Sequence, residues 1–197
     1  MSARIKATGQ RIMLISGGKP FPVIGHAIVS ADGMIADAGG FMPQPLRNDA
    51  DWTLFQAALD MSSIVVLGAK GHRRHPNPGR RRLVFTSTVA TFEQDGADQL
   101  SYLYNPAGLP LADAVARTKV APGIVAVTGG RAVFDHFLGL YDEFLLAEVN
   151  GYVLPGGVQC FSAGHPRQIL AEAGMSPAER RVIDAANDVT LTRWLAG

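Results

Sequence analysis

The chain has 197 residues, of which 47% are hydrophobic and 18% charged, a composition typical of a folded globular protein with one domain. A net charge of +1 excludes the global charge excess that attracts nucleic acid or an acidic membrane surface. The single cysteine, Cys160, excludes an internal disulfide framework and a cysteine-based metal site, and its apolar neighbours predict a buried thiol.

Short apolar runs alternate with helical patterns along the first half of the chain. The run Ile12–Ile15 is too short for a signal peptide, and no stretch approaches the roughly 20 apolar residues of a membrane span, so we expect a soluble cytoplasmic protein. Residues 21–30 ("FPVIGHAIVS") and 63–68 ("SIVVLG") predict buried strands. Between them, residues 49–61 predict an amphipathic helix. Its apolar residues recur at helical spacing: Trp52, Phe55 and Leu59.

The second half of the chain continues this alternation. Strands are predicted at 81–87 and 99–104, and a helix at 110–119 begins with proline and ends in basic residues. The remaining predicted elements are a strand at 123–130, a helix at 131–140, and strands at 142–149 and 188–196. The pattern predicts a three-layer α/β/α domain around a mainly parallel sheet. In such sheets ligands bind beyond the carboxyl ends of the strands, so the residues that follow strands are the candidates.

Three predicted strand ends carry residues suited to binding an anion. They are Gly68, Ala69 and Lys70 after one strand, Thr86 and Ser87 after the next, and Thr128, Gly129 and Gly130 after a third. Backbone N–H groups at a helix start attract anions, because they are unpaired and the helix dipole adds about half a positive charge. Three such ends side by side would suit a dinucleotide with several phosphates.

The segment from Lys70 to Arg82 holds the densest group of basic residues in the chain. One interpretation is recognition of an extra phosphate, such as the 2′-phosphate of NADPH. The other is a solvated loop, broken by Pro76, Pro78 and Gly79. The segment contains no Phe, Tyr or Trp for stacking against bases, which argues against a nucleic-acid partner.

In order and spacing, these motifs resemble the dihydrofolate reductase superfamily, and most closely its riboflavin-pathway reductase domain. "AIVSADGMIAD" is similar to the first strand and loop of these enzymes, and "DWTLFQAALDMSSIVVLGAKG" to their helix, strand and cofactor turn. "VAVTGGRAVFDHFLGLYDEFLLAEVNGYVLPGG" is similar to their glycine pair, helix and following strand. The resemblance extends from about Ile24 to Phe161, and it implies an eight-stranded α/β fold and hydride transfer from NADPH.

Mapped residue by residue, the resemblance implies an NADPH site at the three strand ends. Gly68 to Lys70 fall at the turn that holds the cofactor phosphates, and Thr86 and Ser87 at the contact for the 2′-phosphate. Gly129 and Gly130 match a glycine pair at the pyrophosphate, where the family has a cis peptide bond. The complete predicted cofactor set is Ala27, Gly68, Ala69, Lys70, Thr86, Ser87, Thr128, Gly129, Gly130, Arg131, Ala132 and Val133.

The sequence also departs from the dihydrofolate reductase pattern. The threonine that supports the substrate-binding acid is replaced by Ala147, and the tyrosine after the glycine pair by Phe134. Ala69 stands in place of the arginine of the cofactor turn, which leaves Lys70 or the downstream arginines as its substitutes. No arginine is recognisable as the partner of a folate glutamate tail. These departures favour the riboflavin-reductase-like branch over a housekeeping dihydrofolate reductase.

Asp51 is the candidate catalytic residue. Hydride transfer to a C=N or C=O bond requires a nearby proton source, and Asp51 falls at or within one residue of the acid that holds the pterin in dihydrofolate reductases. Partial burial at a helix end would raise the pKa of its carboxyl into a useful range. The alternative is that Asp51, with Asn48 and Asp49, caps the helix.

The predicted substrate site also contains His26, Ile28 and Phe55. The period of two places His26 and Ile28 on one face of their strand. The resemblance places Ala27 and Ile28 beside the nicotinamide, so His26 would face the substrate; the alternative is a structural histidine. The resemblance also places a mobile loop that closes over the site at residues 37–45. No histidine stands at ligand spacing with cysteine or carboxylates, so we predict no metal.

The sequence therefore predicts a single reductase domain over residues 1–197 that uses NADPH to reduce a small heterocyclic or carbonyl substrate. The binding site would lie between the loop at 37–45 and the first helix. Two alternatives remain, a true dihydrofolate or riboflavin-pathway reductase and a non-catalytic NADP(H)- or nucleotide-binding protein. The apolar strand at 142–149 and the segment after it would offer a surface for a homodimer. Neither nucleic acid nor a membrane is expected as a partner.

Overall fold

The computed structural model describes residues 4–8, 11–16, 19–75 and 79–197. The strands are β1 (Arg4–Thr8), β2 (Arg11–Ser16), β3 (Lys19–Pro20), β4 (Val23–Ser30), β5 (Met34–Ala36), β6 (Ser62–Gly68), β7 (Arg82–Phe85), β8 (Phe92–Gln94), β9 (Ser101–Tyr104), β10 (Ile124–Val127), β11 (Glu143–Val149), β12 (Val158–Gln159), β13 (Met175–Asp184) and β14 (Val189–Ala196). The helices are α1 (Asp49–Asp60), α2 (Ala69–Arg74), α3 (Leu111–Arg117), α4 (Arg131–Phe137) and α5 (Pro166–Glu172), with a 3₁₀ turn at Gln44–Leu46.

Within these residues the central sheet has nine strands, one more than the eight that the resemblance implied, in the order β13-β14-β11-β4-β10-β6-β7-β9-β8. The strands from β11 to β9 run parallel, whereas β14 and β8 run antiparallel to their neighbours. The predicted mixed, mainly parallel sheet is therefore confirmed. Its inner strands β6 and β10 are apolar and buried on both faces, which explains their continuous hydrophobic runs.

Helices cover both faces of the sheet and produce the predicted three layers. On one face, Leu59 of α1 packs on Val65 and Ala126. The adjacent Val66 points to the other face, as strand alternation requires, and packs in the large core that includes Phe137 of α4. α3 contributes to the same core. The chain is thus an α/β/α sandwich whose two cores meet across the sheet.

All ten predicted helices and strands are present, with ends that differ by a few residues. The sequence pattern missed β13, because residues 176–182 are exposed along an edge strand and show no apolar alternation. It also missed the small antiparallel sheet β1-β2-β3, although Leu14 of β2 is buried in the main core. α5 begins at Pro166 behind a His165 cap and was likewise not predicted.

Two further expectations concern burial. Cys160 is fully buried, as predicted, and burial raises the pKa of its thiol well above the ordinary value. β11, expected to offer a dimer surface, lies inside the sheet with its backbone paired to β14 and β4, so only side chains such as Leu145 reach solvent. The homodimer itself stays a prediction. Among the described residues, no helix is long and apolar enough to cross a membrane.

Candidate active site

The three candidate strand ends lie side by side. β10, β6 and β7 are consecutive parallel strands, so Thr128, Gly68 and Thr86 all follow the same edge of the sheet. Backbone hydrogen bonds connect the first two turns, because Thr128 N donates to the Val66 carbonyl and Gly68 N to the Gly129 carbonyl, each at 2.9 Å. This edge therefore presents one continuous rim of backbone.

The two glycines of this rim have different reasons for lacking a side chain. Gly129 has φ +111°, and a Cβ on it would stand 3.0 Å from the Phe134 ring, so both conformation and packing require glycine. A Cβ on Gly130 would meet no protein atom within 4 Å. No peptide bond in the described residues is cis, so the cis bond expected between these glycines is wrong. The positive φ of Gly129 reverses the chain with trans bonds.

The start of α4 supplies backbone donors beside Gly130. The first helical hydrogen bonds run from Val133 N and Phe134 N to the Gly130 carbonyl, at 2.9 and 3.0 Å. The preceding amides of Arg131 and Ala132 have no helical acceptor, and both residues are exposed. Val133 differs, since its side chain is buried in the core. An anion at this turn would therefore be bound by the backbone amides of Arg131 and Ala132, and the side chain of Val133 would not contact it.

The other two turns add a cation and hydroxyls. Gly68 precedes α2, so Ala69 and Lys70 form the first turn of a short helix, and Lys70 is exposed. After β7, the Thr86 hydroxyl lies 2.9 Å from the Thr88 hydroxyl and accepts a hydrogen bond from Thr88 N. Ser87, between them, is exposed. Together with the α4 turn, these groups complete a surface suited to a phosphorylated ligand, hereafter called the cradle.

The arginines at positions 80–82 do not belong to this cradle. They precede β7 or open it, whereas Thr86 follows it, so they lie at the opposite edge of the sheet. The Arg80 guanidinium donates to Gln56 Oε1 at 2.7 Å and pairs with Asp60. Arg82 is buried, and burial lowers the pKa of its guanidinium. Recognition of a 2′-phosphate by these three side chains is therefore wrong; Pro76 and Pro78 lie outside the described residues.

Asp51 does not cap its helix through its carboxyl. Asn48 is the cap residue, and its side-chain oxygen accepts from Asp51 N at 3.0 Å while its amide donates to Asp184 at 2.7 Å. Among the described residues the Asp51 carboxyl has no hydrogen bond or ion pair. Burial raises the pKa of this carboxyl to about 6, so it exchanges its proton near neutral pH.

His26 lies in the middle of β4 and faces α1. Its ring packs edge-on against Phe55, with 5.9 Å between the ring centroids. Burial lowers the pKa of His26 to about 4, against a smaller opposite effect of the Glu143 carboxylate, so the imidazole is neutral at physiological pH. It makes no side-chain hydrogen bond to any residue the structure describes, which leaves both ring nitrogens available to a ligand.

The wall around these groups is apolar and aromatic. Ile28 lies two residues from His26 on the same face and packs with Leu46 and the fully buried Ala147. Sequence reasoning placed Trp52 with the core residues of α1, but 54% of it is exposed, and its ring lies 5.8 Å from Phe55. Ring contacts link His26, Phe55 and Trp52, and Asp51 precedes Trp52 in the first turn of α1; these four residues between β4 and α1 are hereafter called the cleft.

The cleft and the cradle adjoin each other. β4 carries His26, Ala27 and Ile28 and pairs with β10, whose end begins the cradle. Ala27 points away from His26, toward the large core. No group of three or more His, Cys, Asp or Glu residues in the described ranges could hold a metal ion.

Comparison with known proteins identifies the fold. No family model and no curated protein sequence matches the chain. A protein assigned to riboflavin biosynthesis in Shewanella sp. PV-4 is similar in structure, with a TM-score of 0.64, 20% identity, and coverage of 90% of this chain and 99% of that one. Dihydrofolate reductase from Enterococcus faecalis, complexed with NADP(H), has a TM-score of 0.62 and 18% identity over 88% of this chain and 95% of its own.

A third similar structure is the diaminohydroxyphosphoribosylaminopyrimidine deaminase/5-amino-6-(5-phosphoribosylamino)uracil reductase of Thermotoga maritima. It has a TM-score of 0.64 and 14% identity over 90% of this chain, which corresponds to 57% of that longer protein. At these identities the likeness concerns the backbone. The chain has the dihydrofolate reductase-like fold.

Proposed function

We propose that the protein is an NADPH-dependent reductase of a small heterocyclic or carbonyl compound, formed as a single domain over residues 1–197. One observation carries the proposal: the cradle adjoins a cleft that holds a half-buried carboxyl, Asp51, with a raised pKa and no partner among the described residues. A binding protein needs the first feature only. The second is costly to the fold and is typical of catalytic groups.

The residues present fit a pyrophosphate-bearing nucleotide. The open space beyond Gly130, the amides of Arg131 and Ala132, and the cation of Lys70 all lie at one edge of the sheet. Thr86 and Ser87 would supply hydroxyls to the adenosine end. NADP(H) is present in the similar dihydrofolate reductase, which supports this choice of nucleotide.

When bound, NADPH would supply a hydride to a C=N or C=O bond held in the cleft. Asp51 would supply the accompanying proton, because a carboxyl with a pKa of about 6 is partly protonated at neutral pH. Neutral His26 would donate or accept one hydrogen bond and so fix the polar edge of the substrate. Phe55 and Trp52 would flank a planar ring and exclude water from the reacting atoms.

Titration with NADPH and with NADH, followed by nicotinamide fluorescence, tests the cofactor. We expect binding of both, with NADPH bound more tightly. Gly130→Ala should weaken NADPH binding at least about tenfold, because its methyl group would occupy the space proposed for the pyrophosphate. Gly139→Ala is the matched control, since its methyl group also meets no protein atom but lies beyond α4. Absence of binding at millimolar nucleotide would overturn the proposal.

A substrate screen, monitored by the loss of NADPH absorbance, separates the remaining alternatives. Turnover of a ribosylaminopyrimidine would place the protein with the riboflavin-pathway reductases. Tight methotrexate binding with turnover of dihydrofolate would identify a dihydrofolate reductase. Nucleotide binding without turnover of any compound in a broad screen would favour a non-catalytic nucleotide-binding protein.

A further inference from the structure

The hairpin formed by β13 and β14 reaches the start of α1 through one side chain. Asp184, the last residue of β13, accepts a hydrogen bond from the Asn48 side-chain amide at 2.7 Å. Asn48 is buried and is the cap residue of α1. Its side-chain oxygen accepts from Asp51 N at 3.0 Å. A single amide therefore connects the hairpin to the backbone of the proposed acid.

The Asp184 carboxylate is itself held by the turn that follows it. Its Oδ1 accepts from Ala186 N at 3.0 Å and from Asn187 N at 3.2 Å, and its Oδ2 accepts from the Asn187 side chain at 2.7 Å. The hydrogen bonds from the side chains of Asn187 and Asn48 lower the pKa of Asp184, so the group is charged at neutral pH. It offers Asn48 a charged acceptor in a fixed position.

A fixed carboxylate determines which way the Asn48 amide points. A carboxylate can only accept, so the NH₂ group of Asn48 must face Asp184. The oxygen of the same amide then faces the backbone N–H of Asp51, which can only donate. The reversed amide would place oxygen against oxygen at one end and N–H against N–H at the other. The hairpin thus selects the orientation in which Asn48 caps α1.

The cap in turn affects the side chain of Asp51. Asp51 is the third residue of α1, a position from which an acidic side chain can reach back to the free N–H groups of the helix start. Such hydrogen bonds favour the charged carboxylate and would lower the pKa of Asp51. With Asn48 in place, the carboxyl has no hydrogen bond to any described residue, and burial raises its pKa to about 6.

Charged groups on the elements around Asp51 do not account for this raised pKa. α1 packs against β6, whose side chains do not titrate, and against β13, and its Phe55 contacts β4. The titratable residues of these elements, besides Asp51, are His26 on β4, Asp49 and Asp60 on α1, and Glu179, Arg180, Arg181 and Asp184 on β13. Burial is the cause of the shift, so a new hydrogen bond at the helix start would be evident in the titration of Asp51.

We propose that Asp184 and Asn48 are positioning residues for Asp51: the hairpin fixes the cap amide, and the cap keeps the Asp51 carboxyl free of helix hydrogen bonds and available to a substrate in the cleft. The part that concerns a substrate rests on the proposed function, whereas the effect on the Asp51 carboxyl does not. Asp184 acts only through Asn48, because its own partners belong to its turn and to that amide.

NMR titration of the Asp51 carboxyl carbon, in the full chain without any ligand, tests the positioning. Asn48→Ala and Asp184→Ala should each lower the titration midpoint of Asp51 from about 6 by about one pH unit, because the carboxyl can then accept from the helix N–H groups. Asn150→Ala is the control, since the Asn150 amide donates to the Asp188 carbonyl of the same turn, at 2.9 Å, and not to α1. Its midpoint should match that of the wild type.

Asn48→Ser separates this route from a general loss of the helix start. Serine caps a helix about as well as asparagine but lacks the amide that reaches Asp184. The variant should therefore keep a midpoint near that of the wild type, and adding Asp184→Ala to it should cause no further change. Unchanged midpoints in both Asn48→Ala and Asp184→Ala would overturn the proposal. A shift in Asn150→Ala as large as that in Asp184→Ala would overturn it as well.

The pH dependence of kcat, on any substrate found by the screen, tests the catalytic part. A midpoint lowered by about one unit should reduce the kcat of Asp184→Ala about tenfold at pH 7 and at most about twofold at pH 5, with an unchanged NADPH dissociation constant. Asn150→Ala should keep the wild-type profile. A shifted Asp51 midpoint with an unchanged kcat profile would overturn the catalytic part. If the wild type binds no NADPH, the proposed function fails, while the NMR titration still decides whether the hairpin positions Asp51.

Discussion

The cradle and the cleft differ in the groups that they present to a ligand, mainly backbone in the cradle and side chains in the cleft. The cradle consists mainly of backbone, namely three glycines, the first turns of two short helices and the peptide groups that link Gly68 to Gly129, with Lys70, Thr86 and Ser87 as its polar side chains. The cleft consists of side chains from β4 and α1, among them a carboxyl and an imidazole whose pKa values are both shifted by burial. Backbone groups stay the same when side chains are exchanged, whereas a site made of side chains changes with every substitution in it. Under the proposed function, the substrate would therefore be selected in the cleft.

The largest effect that separates the two regions should come from Asp51→Asn. If Asp51 is the proton source, the variant should lose about 100-fold in kcat on any substrate found by the screen, the range typical of removing a general acid. Its NADPH dissociation constant should match that of the wild type, since the change lies outside the cradle. Steady-state kinetics and fluorescence titration measure the two. Unchanged kcat would remove Asp51 from the reaction and leave the cleft without an acid.

Within the cradle, substitution of Gly129 should lower the stability of the fold, whereas substitution of Gly130 should weaken nucleotide binding and leave the stability unchanged. Gly129→Ala must keep φ near +111° and move the Phe134 ring, so we expect a loss of about 2 kcal/mol in the free energy of unfolding. Gly130→Ala, with open space for its methyl group, should stay within about 0.5 kcal/mol of the wild type. Urea denaturation measures both. Equal losses of unfolding free energy in the two variants would show that the fold of the turn, and not a ligand, requires both glycines.

The same contrast explains what the sequence could and could not predict. Buried parallel strands are apolar on both faces, so β4, β6 and β10 are evident as uninterrupted runs, and glycine pairs mark close backbone approach. The cleft depends instead on which face of α1 packs against β4, and a local sequence pattern does not show this. Asn48 is a candidate for the helix cap from the sequence alone, but nothing local to "DWTLFQ" shows that Trp52 is exposed or that the Asp51 carboxyl has no partner among the described residues. Arg80 and Thr86 are near in sequence, yet β7 separates them to opposite edges.

The smallest effect is a pH dependence of stability, which tests whether burial disfavours the charged forms of Asp51 and His26, as the directions of their pKa shifts indicate. The folded state holds the Asp51 proton more tightly than the unfolded chain, because its pKa is about 6 rather than 3.8, so its contribution to stability falls as pH rises between about 4 and 6. For His26 the folded pKa is about 4 rather than 6.5, so its contribution rises with pH over nearly the same window. In the wild type the two slopes oppose each other.

Removal of one of the two groups should therefore leave only the other group's effect on the change of stability with pH. Relative to the wild type, Asp51→Asn should gain on the order of 1 kcal/mol of stability between pH 4 and 7, because the cost of burying a charged carboxylate disappears. His26→Leu should lose a similar amount of stability relative to the wild type over that range. In the wild type the cost of burying a charged imidazole disappears as pH rises, so its stability increases, whereas the variant has no imidazole and shows no such increase. Urea unfolding at several pH values measures both slopes. Parallel curves for the two variants would mean that solvent reaches these groups, and the cleft would then lack the desolvated carboxyl that distinguishes it from the cradle.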